Sequence, residues 1–213
     1  MLADPVLRLG VQDRTAVTRL LLDQAAAGNV EAQARLGQVL LDGHGIERDA
    51  ALAFRWFGIA AAAGHLAALN MLGRCRELGW GCTPDLAMAA RHYRACAERG
   101  LDWGQYNYAN LLSQGRGVPK DMAAALGWYQ RAADSGHAKA MNLVGRFHEE
   151  GWVVVQDLEV AFGWFQRSAL AGEFSWAVQL CVDAGASRTT AGSRDLGTAR
   201  DPHGDTGVPG ENA

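Results

Sequence analysis

Lysine is nearly absent from this chain. Of its 20 basic residues only Lys120 and Lys139 are not arginine, and the net charge is −3. No cationic surplus exists to neutralise phosphates, which argues against nucleic-acid binding. Alanine and glycine are abundant too, so the arginine bias reads as genome composition more than as selection for forked carboxylate contacts. Cysteine is sparse: Cys75, Cys82, Cys96 and Cys181 are too few to frame 213 residues with disulfides. No run of about 18 apolar residues occurs, so no membrane-spanning helix is expected. Residues 1–13 carry Asp4 and Arg8 and lack the apolar stretch of a secretory leader. The expectation is a cytoplasmic protein with no membrane insertion.

The usual marks of catalysis are also missing. No glycine-rich loop ends in Gly-Lys-Ser or Gly-Lys-Thr, and His148-Glu149-Glu150 lacks the second histidine of a zinc helix. Neither Gly-x-Ser-x-Gly nor Ser-x-x-Lys appears. Cys75, Cys82 and Cys96 fall close enough in sequence for an incomplete metal site, or for a disulfide in an oxidising compartment. Free buried thiols are the simpler reading, because cysteine packs as a small apolar residue and Cys96 shares a column with Ala60 and Ala132. The sequence therefore predicts no catalytic residue, no metal and no cofactor.

What is present is a period. Glycine recurs at Gly28, Gly64, Gly100, Gly136 and Gly172, each 36 residues after the last. In the same register run Gly43, Gly79, Gly115 and Gly151; Asp49, Asp85, Asp121 and Asp157; and Ala53, Ala89, Ala125 and Ala161. A ring column holds Phe57, Tyr93, Tyr129 and Phe165, beside Trp56, His92, Trp128 and Trp164. Self-similarity at this spacing is the mark of a stacked repeat.

Each column has a physical reason. Ala32, Leu36, Leu40 and Gly43 step by four and three, giving a first helix one small apolar stripe. Gly37 lies beside it and lets a neighbouring helix come close. Gly43 stops the helix, since a left-handed residue after the last turn costs glycine nothing. Asp49 is placed to cap a second helix, whose buried face is Ala53, Trp56, Phe57, Ala60 and Ala61. One such pair cannot bury its apolar face alone, so pairs must stack.

The pattern Ala-x-x-x-Leu-Gly, Gly-x-Gly-Val-x-x-Asp, Trp-Tyr-x-x-Ala-Ala-x-x-Gly-His resembles the Sel-1-like repeat, a relative of the tetratricopeptide repeat. The best copy is Gly115-Arg116-Gly117-Val118-Pro119-Lys120-Asp121, then Trp128-Tyr129 and Ala132-Ala133; His65 and His137 match the residue after the closing glycine. The resemblance implies an all-α fold: a right-handed α-α superhelix, or solenoid, of four 36-residue helix pairs, with first helices lining the concave side. Residues 1–28 are expected to form an N-terminal capping helix. The repeats are expected at 29–64, 65–100, 101–136 and 137–172, a C-terminal capping helix at 173–184 and a disordered tail at 185–213. The resemblance also implies an adaptor role. The disulfide that cysteine-rich members carry in each repeat is not reproduced.

On a helical wheel, positions 34, 38 and 41 of each first helix point away from the pair's own core. In later units they hold Asn70, Arg74 and Glu77; Tyr106 and Asn110; and Asn142, Arg146 and Glu149. Amides pair with peptide backbone, guanidinium groups grip carboxylates, and tyrosine anchors interfaces. These residues are the expected partner-binding strip. Trp80, Trp103 and Trp152 fall outside the core columns and read either as exposed hot spots or as rings folded over neighbouring units. The expected function is a non-enzymatic scaffold for a protein or peptide. An accessory subunit or regulator of an enzyme or cell-envelope process is the alternative, and a hydrolase ranks below it.

Overall fold

The structure, a computed structural model, describes residues 11–172. The expected C-terminal cap, the tail and Cys181 lie outside the described residues. Within them the chain is all helix: α1 Val11–Ala26, α2 Val30–Asp42, α3 Ala50–Ala62, α4 Leu66–Leu78, α5 Leu86–Glu98, α6 Asp102–Gln114, α7 Met122–Asp134, α8 Ala138–Glu150 and α9 Leu158–Leu170. Each helix packs on the one before it and the one after it. The result is an α-solenoid in which α2/α3, α4/α5, α6/α7 and α8/α9 are the four pairs.

The aspartate column caps every second helix. Asp49 accepts from the Leu52 backbone N–H at 2.8 Å, Asp85 from Met88 at 2.9 Å, Asp121 from Ala124 at 2.8 Å and Asp157 from Val160 at 3.0 Å. The backbone N–H of each aspartate also donates back to the first helix. Asp49 reaches the carbonyl of Leu40, Asp85 that of Arg76, Asp121 that of Leu112 and Asp157 that of His148. One residue thus starts a helix and fixes the turn that precedes it.

First helices are capped less uniformly. Asn29 accepts from the Ala32 N–H at 3.0 Å. In the second and fourth pairs an imidazole does this work: His65 Nδ1 accepts from Ala68 at 3.1 Å and His137 Nδ1 from Ala140 at 3.2 Å. Both rings must therefore leave Nδ1 unprotonated. Leu101 begins the third pair with no side-chain cap.

The core repeats one contact. The rings of Phe57, Tyr93 and Phe165 lie over Gly37, Gly73 and Gly145 of their paired first helices. A Cβ at those glycines would sit 2.7, 2.5 and 2.6 Å from the nearest ring carbon. In the third pair Ala109 faces Tyr129, and both are buried. The large residue on one helix fills the space its partner leaves empty, the interdigitation expected of a close-packed interior.

The loop between helices of a pair carries a second left-handed residue. It is Gly45, Gly81 and Gly117 in the first three pairs, at φ 78, 69 and 69°, and Val153 in the fourth, at φ 55°. For a β-branched residue this region costs about 1–2 kcal/mol.

Gly104 departs from its column, which is otherwise Ala32, Ala68 and Ala140. A Cβ there would collide with Cys96 Cβ and lie 3.0 Å from the Ala97 nitrogen, so α6 rests against the backbone of α5. Helix propensity alone favours alanine over glycine by about 1 kcal/mol. Gly104→Ala is nevertheless expected to destabilise, by about 1–3 kcal/mol, because overpacking outweighs propensity. Gly127 lies within α7 with nothing inside 4 Å of its Cβ position, and Gly127→Ala is expected to stabilise by about 0.5–1 kcal/mol. Urea unfolding of both variants checks the opposite signs.

Candidate functional site

The expected strip divides in two once neighbouring pairs are in place. Asn70 and Glu77 turn into the joints, and Asn110 turns to the second helix of its own pair. Asn70 is only 7% exposed, and its Oδ1 accepts from Asn107 Nδ2 of α6 at 3.0 Å. Glu77 accepts from the buried Tyr93 hydroxyl at 2.9 Å and from Arg116 Nη1 at 2.8 Å. That carboxylate joins α4, α5 and the loop before α7. Burial first, and then the Glu77 charge, push the Tyr93 hydroxyl far above its ordinary pKa. Asn110 Oδ1 accepts from the Tyr129 hydroxyl at 2.6 Å, and burial pushes that hydroxyl up to about 12. These polar groups satisfy buried donors, as buried polar groups must. In the first joint Glu31 accepts from His65 Nε2 at 3.0 Å and from Arg35 at 2.9 Å, and these bonds hold its carboxyl below the ordinary carboxylate range.

Two strip residues, Arg74 and Arg146, stay open. Arg74 is exposed, with its guanidinium carbon 5.0 Å from the centre of the Trp80 ring. Arg146 repeats the arrangement two pairs later, 5.6 Å from Trp152. Among the described residues neither guanidinium is ion-paired. Between them lies an aromatic group. Tyr106 stacks on His137 at 4.7 Å and 19°. Trp103 meets His137 edge-on at 4.5 Å and Tyr106 at 6.3 Å, and it remains 47% exposed. Lys139 Nζ lies 6.0 Å from the Trp103 ring. Asn142 and Glu149 are half-buried on α8.

The three tryptophans therefore differ. Trp80 is half-buried against the first core cluster, Trp103 is open, and Trp152 is 37% exposed while packing edge-on to Phe147 at 5.4 Å. The wheel missed Asn107, Arg116 and the capping role of His65 and His137. Arg116 could have been suspected from its unlike charge to Glu77 on the preceding pair. Nothing in the pattern marks Asn107.

Among the described residues the thiols are free. Cys75 and Cys96 are buried and Cys82 half-buried; burial pushes Cys75 and Cys96 up to about 11. Among the described residues no group of three His, Cys, Asp or Glu side chains is arranged to hold a metal ion. No helix among them is long and apolar enough to cross a membrane.

The model of the Sel1 repeat family matches residues 30–65, 66–101, 104–137 and 138–173. Solved structures similar to this chain include a Sel1 repeat protein from Oxalobacter formigenes, at 30% identity and a TM-score of 0.67. That match covers 70% of this chain and 61% of the other. The chain is also similar to c5321, a protective antigen present in uropathogenic Escherichia coli strains and displaying an SLR fold. Identity there is 29% and the TM-score 0.72, over 82% of this chain and 36% of that one. Helicobacter pylori cysteine rich protein B shares the fold at 20% identity and a TM-score of 0.50, over 60% of this chain and 96% of that one. This chain thus spans less than two thirds of the first two proteins. No curated protein matches it.

Two outcomes follow from the division of the strip. Glu77→Ala leaves the buried Tyr93 hydroxyl without its acceptor and is expected to destabilise by about 1–3 kcal/mol. Arg74→Ala is expected to stay within about 0.5 kcal/mol of the parent in the same denaturation assay. In a Cys181→Ser background at pH 7.5, a thiol reagent is expected to label Cys82 well before Cys75 and Cys96. A thiol raised to about 11 holds almost no thiolate at that pH. Peptide mapping of the labelled protein checks the order.

Proposed function

We propose that this chain, which belongs to the Sel1 repeat family, is a non-enzymatic scaffold that binds an acidic protein or peptide. Sel1 repeat proteins are generally protein-interaction scaffolds. Binding falls on the face made by the first helices α4, α6 and α8. The observation that carries this reading is the pair of guanidinium groups held over indole rings. Arg74 rests over Trp80 and Arg146 over Trp152. An arginine that rests on a ring has already lost much of the freedom that a salt bridge would otherwise remove. Both can meet a partner carboxylate in a planar fork. The aromatic group of Trp103 and Tyr106 lies on the helix between them and supplies rigid apolar area. Asn142 and Glu149 border Arg146 on α8 and complete the polar rim.

The non-enzymatic part of the reading rests on how the reactive groups are used. The buried thiols are pushed upward in pKa, His65 and His137 serve as caps, and the Tyr93 and Tyr129 hydroxyls donate within their own helix pairs. Asn70 and Glu77 act behind the binding face by linking adjacent pairs, and Asn110 by bonding Tyr129 within its own pair.

The test is affinity capture with the full chain, comparing the parent with Arg74→Ala/Tyr106→Ala/Arg146→Ala. The captured partner is identified by mass spectrometry and its affinity is then measured directly. Removing a hot-spot cluster is expected to weaken binding roughly 30-fold or more, with circular dichroism and Tm held. Unchanged affinity for a partner captured by the parent would remove the first-helix face as the site.

A further inference from the structure

The loop glycines do more than turn the chain. A Cβ on Gly81 would fall on the carbonyl of Ala50, and one on Gly117 on the carbonyl of Leu86. Ala50 and Leu86 are the first residues of the second helices in the preceding pairs. In these two joints the loop backbone closes directly on the neighbouring helix end. Met122 is the equivalent helix end in the third pair, and the residue that should close on it is Val153. An isopropyl group cannot take the place of a missing side chain.

At that joint lies an open cleft of about 590 Å³. Met122 and Val153 both line it. So do the buried rings of Tyr129 and Phe147, with Leu143 and Trp152. This volume falls in the range of sites that accept organic side chains and ligands. The cleft has one charged lining residue, Lys120, and no acidic one. Arg146 is not a lining residue, but its guanidinium lies 5.6 Å from the centre of the Trp152 ring and is ion-paired to no described residue. Val153 holds its left-handed backbone although glycine occupies that position in every other pair. Strain kept where a strain-free residue is available elsewhere in the same chain points to use. Val153 itself is 55% exposed and the following Val155 is 88% exposed.

We infer that the joint between the third and fourth pairs is a side-chain pocket. It receives one aromatic side chain from a partner peptide whose flanking residues are acidic. The ring enters between Met122 and Val153 and rests against Tyr129 and Phe147. Its acidic neighbours meet Lys120 at the cleft and Arg146 beside Trp152. This inference rests on the scaffold reading above and locates the anchor within it.

The test uses the full chain and four blocked peptides, acetylated and amidated: Gly-Glu-Phe-Glu-Gly-Ser, the same with glutamine for both glutamates, with lysine for both, and with alanine for phenylalanine. Methyl and indole signals of Met122, Leu143, Val153 and Trp152 are followed by NMR during titration. The acidic phenylalanine peptide is expected to shift these signals saturably. The glutamine form should bind at least fivefold more weakly, and the lysine and alanine forms should not saturate.

Val153→Gly restores the column residue and is expected to raise Tm while weakening the acidic peptide at least tenfold. Loss of binding therefore cannot be ascribed to misfolding. Arg94→Ala, on the exposed side of α5 where it pairs with Glu98, is expected to leave this affinity unchanged. If the peptide shifts signals around Arg74 and Trp103 instead, and Val153→Gly has no effect, the pocket is overturned while the scaffold reading stands. Equal binding of the lysine peptide, or no saturable shift at millimolar peptide, overturns it as well. Concentration-dependent shifts of the same signals without peptide, with dimer in sedimentation, would make a second copy the occupant and overturn the peptide assignment.

Discussion

Everything in this molecule depends on a ring that seats where another helix has no side chain. Phe57 over Gly37, Tyr93 over Gly73 and Phe165 over Gly145 bring the two helices of each of these pairs into close contact. Substituting either partner breaks the fit, since a methyl group on the glycine meets ring carbons and a smaller ring leaves a void. That reciprocity recurs in the first, second and fourth pairs. The third pair meets the same requirement with Ala109 and Tyr129, both fully packed.

Between pairs the logic changes from shape to polarity. Glu31 with His65, Asn70 with Asn107, and Glu77 with Arg116 each link a first helix to the pair that follows. Hydrogen bonds are directional where apolar contacts are not, so these links set register rather than supply most of the stability. Two of the eight residues that look free on an isolated helix, Asn70 and Glu77, are drawn into this role. What remains open is a smaller and more particular set: two arginines on tryptophan rings, an aromatic group around His137, and the cleft beside Val153. The surface available to a partner is defined by what the joints do not use.

The fold was legible because its causes are local. A glycine that ends a helix, an aspartate that starts one and an apolar stripe at helical spacing act within a few residues of themselves, and 36-residue recurrence reveals them together. The site was less legible because its causes are not local. A helical wheel shows that Asn70 points away from its own partner helix, but not that Asn107 arrives beside it from the next pair. The same wheel leaves Trp80 and Trp152 looking alike, although one lies half-buried against a core cluster and the other lines an open cleft. His65 and His137 are visible as a recurring residue, yet their capping role depends on which ring nitrogen faces the helix end. The Val153 departure was legible as an apolar interruption of a glycine motif. Its meaning required the neighbouring helix end, Met122, which lies 31 positions earlier in the chain.

Gly104 bears on how such an array can change over generations. Repeat proteins lengthen and shorten by duplicating units, which presumes that any unit can follow any other. Here the third unit begins with a glycine that lets α6 lie on the backbone of α5, and with Leu101 where its neighbours place a capping histidine. A copied fourth unit inserted after the second would bring alanine to that contact and force the helices apart. The second and third units are therefore fitted to each other more closely than a copied unit would be to either.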